Sequence, residues 1–94
     1  KMIKSFKDKE TGHLYLTGKS KRFSTPVCKI GIRKLDYVNA AISLDDLKTP
    51  PGNKLEKLKG DYEGKYSIRI NDQYRIVFRF VHSDAYDVEI IDYH

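Results

Sequence analysis

Tyr66-Ser67-Ile68-Arg69-Ile70-Asn71-Asp72-Gln73-Tyr74-Arg75-Ile76-Val77-Phe78-Arg79-Phe80 holds two alternating runs of apolar and polar residues around a polar break. Tyr66, Ile68 and Ile70 alternate with Ser67 and Arg69. Beyond the polar break Asn71-Asp72-Gln73, Tyr74, Ile76, Phe78 and Phe80 alternate with Arg75, Val77 and Arg79. Period-2 alternation on both sides of a break predicts a hairpin with one buried face. A one-residue slip would exchange the faces, so the pattern also specifies the register. A three-residue turn sets Ile70 opposite Tyr74, Ile68 opposite Ile76, Tyr66 opposite Phe78 and Arg69 opposite Arg75. A two- or four-residue turn would set apolar against polar unless a bulge restored the parity.

This register gathers charge. Arg69 and Arg75 face each other, with Arg79 further along the same open face. Like charges directly opposite across a sheet are unfavourable, and an anion such as phosphate seated on that face would relieve them. The plainer alternative is that a basic chain must place its arginines somewhere.

Outward from the hairpin, Met2–Phe6 alternates as a short strand, and Asp8–Thr17 reads as a weak helix with Asp8 as N-cap and Gly12 lowering its stability. Gly18–Ser24 is a basic loop. Thr25 offers a capping hydroxyl and Pro26 a first helical residue. The helix they begin runs from Val27 to about Ile42, with Val27, Ile30, Leu35, Val38, Ala41 and Ile42 on one stripe and Lys29, Arg33 and Lys34 off most of it. Leu44–Leu47 fits one further turn, and Thr49-Pro50-Pro51-Gly52-Asn53 a fixed loop. Lys54–Gly60 enters a turn at Gly60-Asp61 as a short strand. His82-Ser83-Asp84 is a second turn, and Tyr86–Ile91 a last strand with Val88 and Ile90 inward. The order β-α-α-β-β-β predicts one α+β domain over residues 1–94, a mainly antiparallel sheet with two helices packed on one face.

Composition narrows the function. With 33% charged and 39% hydrophobic residues the chain reads as globular. No apolar run reaches membrane-spanning length, and the N-terminal residues lack the apolar core of a signal peptide. The single cysteine, Cys28, reads as a small core or boundary residue and suits a reducing cytoplasm. Residues 1–35 hold ten Lys/Arg against two Asp/Glu, and residues 36–94 eight against eleven, so a net +5 conceals a strongly basic first third. Such asymmetry favours a polyanion or an acidic protein as partner. His13, His82 and His94 have no ligand-like spacing, so no metal site is expected. Neither a phosphate-cradling glycine loop nor a Ser or Cys nucleophile motif occurs, and no cofactor is expected.

A basic-aromatic set remains. Lys54, Lys57 and Lys59 precede the hairpin, Arg69, Arg75 and Arg79 line its face, and Asp92, Tyr93 and His94 follow the last strand. Such a set can hold an RNA backbone, stack a base and supply a titratable imidazole. RNA cleavage needs a base for the ribose 2′-OH, cations for the charge gathering on phosphate, and an acid for the departing 5′-oxygen. The plainer readings are a frayed tail and a solvated lysine edge that blocks aggregation.

Leu55–Asp61, the hairpin with Arg75-Ile76 and the closing Asp92-Tyr93-His94 resemble the HigB branch of the RelE-type bacterial toxins. Pro50–Asn53 and Ser67–Arg75 are most similar to its GraT-like members, and the likeness runs from about Ile3 to His94. The resemblance implies a ribosome-dependent mRNA endonuclease that cuts in the A site, the cytoplasmic toxin of a type II pair. Its implied partners are the ribosome, mRNA and a helix-turn-helix, HigA-like antitoxin, with operator DNA reached only through the antitoxin complex and no membrane. Family active-site positions fall on Lys59, Arg75, Asp92, Tyr93 and His94, with Lys54, Lys57, Arg69 and Arg79 as RNA contacts. One departure stands out: HigB carries a histidine where this chain has Glu56. Either Glu56 serves as base, or His94 does, or the activity is weaker. A second departure is Asn71, roughly where HigB carries an arginine, with Arg69 placed to compensate. The alternatives are a non-catalytic RNA- or ribosome-binding module on the same face, and a face that serves only an acidic protein.

Overall fold

The computed structural model describes residues 2–93 and forms the hairpin in the register the alternation specifies. Strands β2 (Tyr66–Arg69) and β3 (Tyr74–Val81) pair antiparallel, with Tyr66 opposite Phe78, Ile68 opposite Ile76 and Arg69 opposite Arg75. The Ile70 N–H donates to the Tyr74 carbonyl at 2.9 Å. Asn71 shapes the turn, its Oδ1 accepting from the N–H groups of Gln73 (2.9 Å) and Tyr74 (2.7 Å), an Asx-type turn.

Strand β1 (Glu56–Lys57) adds beside β2, and β4 (Asp84–Asp92) beside β3. The sheet order is β1-β2-β3-β4, antiparallel throughout. The β3–β4 turn has only two residues, His82 and Ser83, both left-handed (φ 49° and 69°), which matches the twist of a tight hairpin. Residues 2–7 run alongside β4 in parallel, joined by bridges at Ile3–Ala85 and Phe6–Val88 rather than by a continuous ladder. Between the bridges Asp87 takes φ 54° and gives its N–H to the Ser5 hydroxyl (2.9 Å). The β3–β4 register shifts at the same level, between Val77 and Arg79, as a β-bulge does.

Helix α1 (Lys9–Thr17) begins at Asp8, whose carboxylate accepts from the Thr11 N–H at 3.2 Å, and ends at left-handed Gly18. Gly12 is a close-approach glycine: a Cβ there would lie 3.3 Å from the Phe6 ring. Helix α2 spans Thr25–Ala40, and its cap is Ser24, not Thr25. The Ser24 backbone is extended and its Oγ accepts from Val27, which makes Thr25 the first helical residue and Pro26 the second. The helix also stops short of Ile42. Asp46 Oδ2 takes the N–H groups of Ile42 (2.9 Å) and Ser43 (3.2 Å), and Ile42 is turned out to 58% exposure. Leu44–Lys48 is the further turn, of 3-10 type, and Pro51–Asn53 adds another inside the proline-rich loop.

The helices pack on one sheet face. Leu14, Leu35 and Val38 meet Ile68, Ile76, Phe78, Val88 and Ile90 in a cluster sealed at its edge by Leu47, each at most 1% exposed. Full burial of each large aliphatic side chain contributes about 1.5–3 kcal/mol. The opposite face is not open, as the alternation alone suggests. Ser67 and Val77 on it are fully buried and Leu58 nearly so, and neither Val77 nor Leu58 belongs to the main core. No helix among the described residues is long and apolar enough to cross a membrane.

Candidate active site

Arg75 is the centre of the second face. Its position in β3 points it across β2, where its Nε donates to the Ser67 hydroxyl at 2.8 Å. Its Nη2 donates to the Lys54 carbonyl at 2.5 Å and lies 3.6 Å from Glu56 Oε1. The guanidinium carbon stands 5.6 Å from the centroid of the Tyr93 ring, a cation–π arrangement. The side chain is only 11% exposed. Burial draws its pKa below the usual guanidinium value, Glu56 and Tyr93 pull it back, and Arg69 adds to the lowering. Arginine keeps its proton under any such shift.

Each partner of Arg75 is itself held. Glu56 is opposite Ser67 in the β1–β2 pair, so alternation puts both on the face of Arg75. The Lys54 carbonyl is delivered by the loop before β1, where Lys54 is left-handed (φ 45°). That loop hangs on buried Asn53, whose Nδ2 donates to the carbonyls of Leu47 (3.2 Å) and Thr49 (3.3 Å). The Tyr93 N–H donates to the Gln73 carbonyl at 2.8 Å, and the Gln73 amide donates to Asp92 at 3.0 Å. The hairpin turn thus holds the end of β4 against Arg75.

The sequence-predicted residues separate accordingly. Arg75, Glu56, Tyr93 and the Lys54 backbone come together, with Asp92 tied to the adjoining turn. His94 lies outside the described residues. Arg69 pairs with Asp72 of the turn, which answers the like-charge problem from within the hairpin. Arg79 pairs with Asp87 at 3.0 Å and sits 5.0 Å over the Tyr86 ring, past the bulge. Four residues along a strand it is about 13 Å from Arg75. So the crowding of arginines does not by itself require an external anion. Lys57 pairs with Tyr66, whose side of the sheet is the core side, so alternation turns it away from Arg75. Lys59, exposed, leads the turn Gly60–Tyr62 and forms no ion pair among the described residues.

Three supporting residues escaped the sequence reading. Ser67 looked like an ordinary outward serine. Gln73 looked like a turn residue. Lys34 was placed off the apolar stripe of α2, yet it is 6% exposed and its Nζ donates to the Arg69 carbonyl at 2.5 Å. Burial first, then Arg33, Arg69 and Arg75, lowers its pKa. Helical spacing carried that signal: Val27, Gly31, Lys34 and Val38 follow one another at four, three and four residues along the buried side.

A buried guanidinium on a rigid sheet, a carboxylate beside it and an aromatic ring over it can bind a phosphodiester and stabilise its developing charge. The fold around this site is that of the small RelE-like toxins. A chain of a heterotetrameric YoeB–YefM toxin–antitoxin complex from Staphylococcus aureus superposes with a TM-score of 0.61 at 20% identity, covering 100% of this chain and 99% of that one. A YoeB/ParE toxin from Agrobacterium tumefaciens gives 0.58 at 20% identity, with both chains fully covered. At the sequence level, residues 4–94 match the model of the RelE-like toxin HigB of type II toxin–antitoxin systems. The Toxin HigB-1 of Vibrio cholerae is 40% identical over 81 residues, 85% of each chain. The Endoribonuclease HigB of Proteus vulgaris is 34% identical over 99% of this chain and all of its own. The chain belongs to the HigB-like toxin family of type II toxin–antitoxin systems.

Proposed function

We propose that residues 1–94 act as one cytoplasmic toxin domain, a ribosome-dependent endoribonuclease that cuts mRNA in the A site and so stops translation. The observation that carries this reading is Arg75, locked by Ser67 and the Lys54 carbonyl beneath Tyr93 with Glu56 at 3.6 Å, in a chain 34% identical to a relative named an endoribonuclease. Cleavage begins when a base takes the proton from a ribose 2′-OH and the 2′-oxygen attacks the adjacent phosphorus. The P–O5′ bond breaks, a 2′,3′-cyclic phosphate forms, and an acid protonates the departing 5′-oxygen. Arg75, with Lys59, stabilises the charge on the phosphoryl oxygens. Glu56 stands beside the phosphate position as base, and His94, oriented by Asp92, transfers the second proton. Tyr93 stacks on or hydrogen-bonds a base, while Lys54, Arg69 and Arg79 hold flanking backbone. The antitoxin of the pair is a HigA-like helix-turn-helix protein, and the complex meets operator DNA through it.

Primer extension on a defined mRNA, with and without programmed ribosomes, tests this. Cuts confined to the A-site codon and to the ribosome tube are expected. Cuts on naked RNA would replace the ribosome-dependent reading with a self-sufficient nuclease. Ribosome binding without cuts in either tube would leave a binding module.

A further inference from the structure

The three arginines of the sheet face each have a carboxylate companion: Asp72 for Arg69, Glu56 for Arg75 and Asp87 for Arg79. Positive charge without a carboxylate companion also gathers away from that face. Lys9 on α1, Lys19 and Lys21 in the loop 18–24, and Lys29 on α2 rim a groove of about 850 Å³ that Phe23 and Ile32 help to line. Among the described residues none of these four lysines is in an ion pair. The one carboxylate in the lining, Glu10, instead accepts from the Ser20 hydroxyl at 3.1 Å and braces the loop against α1. Arg22 fixes the loop a second time through Asp8, at 3.3 Å. The groove is therefore built, basic at its rim and apolar in its floor.

We infer that this groove is a docking site for an acidic amphipathic segment of the antitoxin, its carboxylates meeting Lys9, Lys19, Lys21 and Lys29 while an apolar side chain settles against the half-buried Ile32. The inference takes the antitoxin partner from membership of a type II toxin family and needs nothing from the cleavage chemistry. Charge complementarity selects an anionic partner. The floor selects a peptide over RNA. Single-stranded RNA binds by stacking bases on exposed rings. Phe23 has no free face to offer: it is 6% exposed, its ring meets Tyr74 edge-on at 5.3 Å, and the Arg22 guanidinium lies 5.1 Å from its centroid. A leucine or isoleucine at helical spacing among glutamates fits such a floor and rim.

The test is fluorescence anisotropy with two labelled probes: a short peptide of glutamates with leucines at helical spacing, and a short single-stranded RNA. The wild-type chain should bind the peptide more tightly than the RNA. Lys21→Glu with Lys29→Glu should weaken the peptide at least about tenfold, which corresponds to about 1.4 kcal/mol. Ile32→Ser leaves every charge in place; it should weaken the peptide several-fold and leave RNA unchanged. Arg75→Ala should leave peptide binding intact. Melting curves confirm that each variant is folded. RNA as the preferred probe, an Ile32→Ser variant that binds the peptide normally, or peptide binding lost with Arg75→Ala would each overturn the groove. In cells, the double lysine variant should still arrest growth but escape its antitoxin; neutralisation equal to wild type would also overturn it. If the wild-type chain arrests nothing, the cleavage reading falls and the peptide titration still decides the groove.

Discussion

The guanidinium of Arg75 and the carboxylate of Glu56 stand 3.6 Å apart, although they come from strands separated by β2. The reach is possible because Ser67, between them, is small and takes the Arg75 Nε as it passes. The guanidinium and carboxylate, the pair that the proposed cleavage assigns to phosphate and to a hydroxyl, are thereby held by backbone register.

Arg75→Ala should lower single-turnover cleavage by about a hundred- to a thousandfold, the scale on which removing a preorganised donor to developing charge is felt. Arg75→Lys should recover little, since an ammonium cannot serve Ser67 and the Lys54 carbonyl through a planar fork. Full activity in either variant, measured by primer extension on programmed ribosomes, would take Arg75 out of the site.

Glu56→Gln keeps the shape and removes the proposed base. Cleavage should slow by about a hundredfold, within the range general-base catalysis contributes, while ribosome binding stays intact. Glu56→His, which restores the residue type found in HigB, should cleave at least as well as the wild type. If Glu56→Gln cleaves normally, the base is elsewhere, and the same assay on His94→Ala identifies it.

Asn53→Ala removes a fully buried amide and leaves the Leu47 and Thr49 carbonyls without the donor it supplies. Orphaned buried carbonyls cost about 1–3 kcal/mol, so the urea midpoint should fall accordingly. Cleavage should fall further than stability explains, because the loop that delivers the Lys54 carbonyl to Arg75 loses its anchor. A drop in stability with unchanged turnover of the folded fraction would separate the loop from the site.

Tyr15 and Lys34 shape stability at alkaline pH with opposite signs. Burial, followed by the hydrogen bond to Asp36 and that residue's charge, pushes the Tyr15 phenol up to about 12. Its proton stays on in the folded chain above pH 10 while the unfolded chain loses it. That stability is complete below about pH 10 and is lost as pH rises toward 12. Tyr15→Phe should remove this loss. Lys34 is depressed, so the unfolded chain binds the extra proton, and stability rises with pH in the window just below 10.5. Lys34→Met should abolish that rise. Urea titrations at stepped pH would show both, and a Tyr15→Phe curve parallel to wild type above pH 10 would refute the first.

The hairpin was legible because Tyr66–Phe80 alternates strictly and only one register keeps both faces consistent. What lay on the second face was not. Alternation says that Ser67 and Val77 point away from the core, but not that the long side chains around them close over and bury them. The register sets Arg69 opposite Arg75, as observed, but is silent on Asp72, Glu56 and Asp87, which give the three arginines a carboxylate each. The Thr25 cap was misplaced because a Ser-Thr-Pro run offers two hydroxyls, and backbone angles rather than residue type chose Ser24. Lys34 was missed because a lysine on an apolar stripe reads as a misfit until its Nζ finds a carbonyl.

The turn Asn71-Asp72-Gln73 holds Arg69 through Asp72, Asp92 through the Gln73 amide, and Tyr93 through the Gln73 carbonyl. Its length is therefore a constraint on how this toxin can diversify. Residues there can be exchanged one at a time, each exchange adjusting only the contacts of its own side chain. Insertion or deletion of one residue, unless a bulge absorbed it, would instead invert β3, send Arg75 into the hydrophobic interior and bring Ile76 to the face that Arg75 now occupies, so drift in this loop can change its chemistry but not its count.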